Sequence, residues 1–331
     1  MGISKFLMMM LILLSLNWGM SSSSWFSLWM ALEINNMMIM PLMLLKIYQQ
    51  YSESTIKYFL IQSISSLMFI MSSLMINNPL WMFMNLNLIF NMIMLSMMMK
   101  IGMFPFMMWY IEIIPKTSFL AMKLIMTIQK IMPMIIINMT IKNYNTLFLM
   151  IMINMMFSSI MALNQTNMKK ILSLSSINHM GWMLMSLIFN HSTFITYFII
   201  YSSILLMIIS FMKTFSIKYM MQMFIMNNIY FMLNMMSMAG LPPFSGFMMK
   251  WMIINLMMNF NMIFLSMIMI LSSMISLYFY LRLIMLSFMM SFIKLKWNVK
   301  INYKLNKNYL NMMSLLNLMG IPFLNFIMIL F

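Results

Sequence analysis

The sequence has no cysteine. That excludes disulfides, thiolate metal sites and Cys-ligated iron–sulfur clusters. Histidine is almost as scarce. His179 and His191 are too few for the bis-His haem ligation of multi-haem membrane subunits, so no redox centre is expected in this chain. Acid is nearly missing too: Glu33, Glu53 and Glu112 stand against 19 Lys and Arg, for a formal net charge of +16. Charged residues together make up 7%, where a soluble domain carries about 25%. Small aliphatics are rare, with one valine (Val299) and four alanines (Ala31, Ala121, Ala162, Ala239).

What fills the chain instead is apolar. Hydrophobic residues account for 64% of it and the mean hydropathy is +0.96, a composition of polytopic membrane proteins. A span needs about 20 residues plus a short loop, so 331 residues allow roughly 11–13 spans and no large soluble domain. The 63 methionines have two readings. Thioethers select Cu(I) and could form a conduit. Codon bias accounts for more: Met, Ile, Asn, Phe, Lys and Tyr all have AT-rich codons in animal mitochondrial codes, and Ala and Val do not. Met then does the packing work of Leu, Val and Ala, and the skew points to mitochondrial encoding.

Hydropathy gives about eleven spans, near 3–20, 25–45, 58–76, 81–101, 118–138, 146–163, 171–189, 193–212, 224–257 (interrupted), 262–286 and 309–330, with 102–115 continuing the fourth. Basic residues alternate along this map. Lys5, Lys46, Lys57, Lys116, Lys169, Lys170, Lys213, Lys218, Lys294, Lys296, Lys300, Lys304 and Lys307 fall on one side, and only Lys142 falls on the other. Positive charge marks the inner side, which places the N-terminus inside and the C-terminus outside. The same pattern removes nucleic acid as a partner, because the charge is orientation signal and lipid contact. The first apolar run is long enough to remain as a span and is followed by no small-residue cleavage site.

Some charges fall outside that pattern. Glu53 lies in an inner loop as a solvated partner for Lys57, four residues on. Glu33, Lys130 and Lys250 fall within spans, where an ionised group costs about 2.5 kcal/mol or more and marks ion pathways and proton relays. Lys100 has two placements: a snorkelling lysine at the inner rim if span four ends at 101, or an intramembrane lysine if the helix breaks and continues to about 114. Lys123 fits either class. The stretch KIGMFPF (100–106) has an echo in GLPPFSG (240–246): Gly102-x-x-Pro105-Phe106 matches Gly240-x-x-Pro243-Phe244, with Pro242 beside it. Both interrupt a span near a lysine, and five spans separate them. The odd offset makes the copies enter the membrane from opposite sides, an inverted repeat, and paired interrupted spans point to an ion site.

Four blocks, KIGMFPFMMWYIE, TIQKIMP, LNQTNMKKILSLSSINHMGW and MAGLPPFSGFMMKW, resemble in order and spacing the NADH–ubiquinone oxidoreductase chain 2 family of mitochondrial respiratory complex I. The resemblance covers essentially the whole chain, and the composition resembles that of an insect or other arthropod. It implies an all-α polytopic fold of the shortened animal form: two inverted antiporter-like five-helix repeats with discontinuous helices (1–140 and 141–287), a basic matrix-side loop (288–308) and a C-terminal transmembrane helix (309–331). It implies a proton-translocation row of Glu33, its paired Lys100, the central Lys130, His179 and the terminal Lys250, with Glu112 and Lys123 as further candidates. His179 also reads as a packed core histidine, and His191 as a surface residue. Two departures stand out: Met107 occupies the family's histidine position after Pro-Phe, and Glu112 lacks the preceding proline of the family's W-x-Pro-Glu. The resemblance implies a multi-pass inner-membrane subunit (N-terminus in the matrix, C-terminus in the intermembrane space) that helps couple NADH-to-ubiquinone electron transfer to proton translocation. FMN, iron–sulfur clusters, NADH and ubiquinone would belong to the whole complex and none to this chain. Its partners would be neighbouring antiporter-like and small membrane subunits and lipids such as cardiolipin. The alternatives are an assembly scaffold and a free-standing cation/proton antiporter.

Overall fold

A computed structural model describes residues 2–44, 49–77, 86–140, 144–225 and 229–292. Lys46, Lys142, the basic loop 288–308 beyond Phe292 and the span expected at 309–330 lie outside the described residues.

The described residues are helical: α1 (Gly2–Ser21), α2 (Trp25–Met43), α3 (Gln49–Asn77), α4 (Leu86–Ile101), α5 (Met107–Lys116), α6 (Phe119–Met126), α7 (Ile128–Thr140), α8 (Tyr144–Leu163), α9 (Met168–Phe189), α10 (His191–Thr214), α11 (Ile229–Ala239), α12 (Ser245–Asn259) and α13 (Ile263–Phe292), with a 3-10 turn at Met220–Ile225. Ten of the expected spans have a helical counterpart here. Seven stretches are long and apolar enough to cross a membrane: Ile3–Ser21, Tyr51–Ile76, Phe119–Thr140, Tyr144–Leu163, Met168–Phe189, His191–Thr214 and Ile263–Ser287. The chain is a multi-pass membrane protein.

Helices suit such a composition because lipid offers no partner for backbone N–H and C=O groups. The many serines obey the same rule by bonding back into their own helix. Ser65 donates to the Gln62 carbonyl (2.8 Å), Ser176 to Ser173 (2.7 Å) and Ser272 to Met269 (2.8 Å). Caps mark several starts: Ser24 accepts from Ser27 N–H, Ser118 from Ala121 N–H and Asn167 from Lys169 N–H.

The chain divides into two compact units, Met1–Ile151 and Met152–Phe331. In the first, α1 packs on α2, α2 on α3, α3 on α4, α4 on α7 and α7 back on α1, closing a ring; α5 lies on α3 and α6 on α2. In the second, α9 is almost wholly buried and touches α10, α12 and α13, while α11 packs on α10, α12 and α13. Arg282 of α13 ties this unit together by donating to the Leu163 carbonyl (2.8 Å) and the Gln165 carbonyl (3.3 Å) at the end of α8.

The expected fifth span, 118–138, is not one uninterrupted helix. It bends at Thr127 (φ −119°, ψ −81°), between α6 and α7. The Thr127 hydroxyl donates to the Lys123 carbonyl (2.7 Å), and Pro133, lacking an N–H, leaves the Gln129 carbonyl without its helical donor. Lys130 therefore begins a new helix rather than sitting mid-helix.

Candidate functional site

The first break follows α4. Gly102 adopts φ +77°, a left-handed conformation open to glycine at little cost, and the Phe104–Pro105 bond is cis. Gly102 N–H (3.0 Å) and Met103 N–H (3.1 Å) both return to the Met98 carbonyl, closing the helix, and Phe106 N–H returns to Met103 (2.7 Å). Two further carbonyls freed by the break are met by side chains. Trp109 Nε1 donates to Met99 (3.1 Å), and the buried Gln62 Nε2 donates to Lys100 (3.1 Å).

Lys100 lies in the last turn of α4 and is buried, 6% exposed, rather than at an open rim. Its Nζ has no hydrogen-bond partner among the described residues. Glu33, half-buried on α2, makes no ion pair within 4 Å among the described residues. Tyr58 is at the centre of a polar cluster: its hydroxyl donates to Asn36 Oδ1 (3.3 Å) and accepts from Gln129 Nε2, and its ring faces Trp109 at 6.4 Å. Lys130, also buried, holds its ammonium 5.3 Å from the Tyr110 ring centre, a cation–π contact. Because α4 packs on α7, the first unit brings together the elements bearing Lys100 and Lys130.

The second break repeats the first in backbone detail. Gly240 has φ +80°, the Pro242–Pro243 bond is cis, Leu241 N–H returns to Met236 (3.3 Å) and Phe244 N–H to Leu241 (2.9 Å). Its side-chain solution is charged. Lys250 reaches back from α12 and its Nζ donates to the Ala239 carbonyl (2.9 Å), the last residue of α11. A helix C-terminus carries partial negative charge, so a buried ammonium is stabilised there without a carboxylate. Gly240 makes room for it: a Cβ would meet Lys250 Nζ at 2.9 Å. With Gly102 set on Gly240, Lys250 falls on Glu112 and Lys100 on Met238, so the two lysines approach their breaks from opposite sides.

His179, in the middle of α9, is buried, and its Nδ1 lies 2.7 Å from the Tyr197 hydroxyl on α10. The Tyr201 ring is 5.2 Å from the imidazole, centre to centre. Tyr280 of α13 is buried too, and its hydroxyl has no hydrogen-bond partner among the described residues. The remaining candidates lie elsewhere. Glu112 is exposed and pairs with Lys57 (3.1 Å). Lys123 is half-buried on α6 and His191 is exposed at the start of α10.

Sequence reasoning did not single out Gln62, Tyr58, Trp109, Tyr197, Tyr280 or Arg282 as members of this site or its supports. The only available signal was polar residues inside apolar runs: QSISS within span three, YFIIYSS within span eight, and the one arginine, inside span ten.

The chain matches known proteins along most of its length. The NADH:quinone oxidoreductase/Mrp antiporter transmembrane family matches residues 22–276. The chain is similar to NADH-ubiquinone oxidoreductase chain 2 of Locusta migratoria, 36% identical over 318 residues (92% of this chain, 91% of the relative). It is 36% identical over 294 residues to the same protein of Anopheles gambiae (86% of this chain, 85% of the relative). Among solved structures, a chain of respiratory complex I from Thermus thermophilus shares the fold (TM-score 0.79, 17% identity, 95% of this chain and 77% of that one). So does a chain of the membrane-bound sulfane sulfur reductase, an archaeal respiratory membrane complex (TM-score 0.81, 16% identity, 96% of this chain and 73% of that one). The chain belongs to the NADH-ubiquinone oxidoreductase chain 2 family, within the antiporter-like membrane subunits.

Proposed function

We infer that this chain is a membrane-arm subunit of respiratory complex I that moves protons across the mitochondrial inner membrane as NADH reduces ubiquinone elsewhere in the complex. One observation carries the reading: two helix breaks of matching backbone geometry each have a buried lysine beside them, Lys100 without a hydrogen-bond partner and Lys250 on a helix-end carbonyl. Ionisable groups buried among membrane helices are costly and mark ion pathways, so the lysines beside the two breaks are the candidates to carry the proton.

In this mechanism Glu33 holds the proton on Lys100 through its charge. When that influence weakens, Lys100 becomes a neutral amine and its proton passes toward Lys130 on the packed neighbour α7. In the second unit, His179 on α9 and Lys250 on α12, two helices in contact, form the corresponding pair. The two copies correspond to inverted five-helix repeats, 1–140 and 141–287. The alternation of lysines supports an N-terminus in the matrix and a C-terminus in the intermembrane space. Neighbouring antiporter-like and small membrane subunits are the partners, and the lysine-rich inner loops suit an anionic lipid such as cardiolipin. Cys-ligated iron–sulfur chemistry belongs to other subunits, since this chain has no cysteine to ligate a cluster, and FMN is assigned to the whole complex.

The test is Lys130→Met and Lys250→Met in the assembled complex. Full assembly with fewer protons moved per NADH is expected; a normal proton-to-electron ratio in both variants overturns the reading in favour of a scaffold.

A further inference from the structure

Two of the chain's three acids lie outside the buried row, in one surface cluster with two lysines. Glu53 and Lys57 are one turn apart on α3, and Glu112 and Lys116 one turn apart on α5. Lys57 contacts Glu53 at 3.1 Å and Glu112 at 3.1 Å, while Lys116 holds both carboxylate oxygens of Glu53 at 2.9 Å. The four charges thus form an alternating square across two antiparallel helices. Sliding α5 by one turn would set Glu against Glu or Lys against Lys, so the square accepts one register.

The helix it grips needs an anchor. α5 has 10 residues, and isolated helices shorter than about 12–15 residues are marginal. Its N-terminus emerges from the Gly102–Phe106 break, so it does not continue the α4 helix. Buried Tyr110, Ile111, Ile113 and Ile114 pack inward, Tyr110 faces the Lys130 ammonium, Trp109 near the break bonds to Met99 and faces Tyr58, and the charged square holds the last two turns. Lys57 is next in sequence to Tyr58, which joins Asn36 and Gln129 in the buried polar cluster, so the square and the cluster share one turn of α3.

We propose that Glu53, Lys57, Glu112 and Lys116 are positioning residues: an ionic latch that holds half-helix α5 in register on α3 and so keeps the break beside Lys100 in working geometry. The functional half of this rests on the proton-translocation reading above. Each exposed pair is weak alone, worth up to about a fivefold shift in an equilibrium, but reversing Lys57 turns attraction into repulsion with two partners, Glu53 and Glu112, and reversing Glu112 does so with Lys57. The latch is also exposed to salt, which screens such pairs.

The test uses the assembled complex carrying Glu112→Lys, Lys57→Glu, or the inversion of all four charges (Glu53→Lys, Lys57→Glu, Glu112→Lys and Lys116→Glu), with Glu112→Gln as a milder variant. Two quantities are read: hydrogen exchange of the α5 amides, and protons moved per NADH. Each single reversal is expected to speed α5 exchange about fivefold or more and to lower the proton yield, Glu112→Gln less so, and the four-charge swap, which keeps every pair opposite in sign, to restore both. Unchanged α5 exchange in the single reversals, or no recovery in the swap, overturns the latch. Exchange that moves and recovers while the proton yield stays normal overturns the positioning role. In that last case Lys130→Met separates the causes, since a normal yield there too means that the translocation reading, not the latch, has failed.

Discussion

Lys250 and Gly240 make a coupled pair whose energetics can be worked through. Replacing Gly240 by alanine forces a residue with a Cβ to φ +80°, at a cost of about 1–2 kcal/mol. The new Cβ would lie 2.9 Å from Lys250 Nζ and 3.2 Å from its Cδ and Cε, so the side chain must leave. Leaving breaks the 2.9 Å charge-assisted bond to the Ala239 carbonyl, about 1.5–3 kcal/mol. Gly240→Ala therefore costs about 2.5–5 kcal/mol in the natural chain. With Lys250→Ala already present, the obstruction and the bond are both gone, and only the left-handed term of about 1–2 kcal/mol remains. The two substitutions are then non-additive by about 1.5–3 kcal/mol, roughly a factor of 10–150. Heat-inactivation half-lives of detergent-solubilised complex, measured for the natural chain, both single variants and the double, give that coupling directly. If Gly240→Ala shortens the half-life by the same factor in both backgrounds, the lysine does not cap the broken helix and the reasoning fails.

Other expectations follow from the same geometry. Gly102→Ala is expected to be more damaging than Gly240→Ala, because its Cβ would meet Tyr110 Cβ at 2.8 Å, an atom that moves only with its backbone; an equal or longer inactivation half-life refutes this. Tyr197→Phe removes the hydroxyl 2.7 Å from His179 Nδ1, a loss of about 0.5–1.5 kcal/mol, and the proton yield per NADH should fall; a normal yield and normal heat stability would show the contact to be idle. Arg282→Lys replaces a fork spanning the Leu163 and Gln165 carbonyls by a point donor, at about 1.5–3 kcal/mol, and should lower the amount of assembled complex on native gels; an unchanged amount argues against its role as a tie.

How much of this was readable beforehand varies by residue. The helix breaks were legible because Gly and Pro are strong local punctuation, and their effect is decided within a few residues. The bend at Thr127 was not, because Thr-Ile-Gln-Lys carries no such signal and the bend depends on a hydroxyl bonding back into α6. Glu53 with Lys57 could be paired from spacing alone, being one turn apart, whereas Lys116 and Glu112 join them from 63 and 55 residues away. The ionisable row could be picked out because charge is scarce in an apolar chain. Its neutral supports, Gln62, Tyr58 and Tyr197, could not, because Ser, Gln and Tyr are common here and a polar residue looks alike whether it faces lipid, a carbonyl or an imidazole.

The sequence by itself determined the membrane class, the helical content, the two interruptions and which few residues carry charge within the membrane, since each follows from composition, local backbone chemistry or the cost of charge in hydrocarbon. Tertiary structure alone decided what each of these charges meets: Lys250 a helix-end carbonyl, Lys100 no hydrogen-bond partner for its Nζ among the described residues, Lys130 an aromatic face, and the exposed Glu112 a surface lysine rather than the buried row. Those partners come from segments far apart in the chain, and electrostatics in a low dielectric depends on distance through space, which only the packing of helices sets.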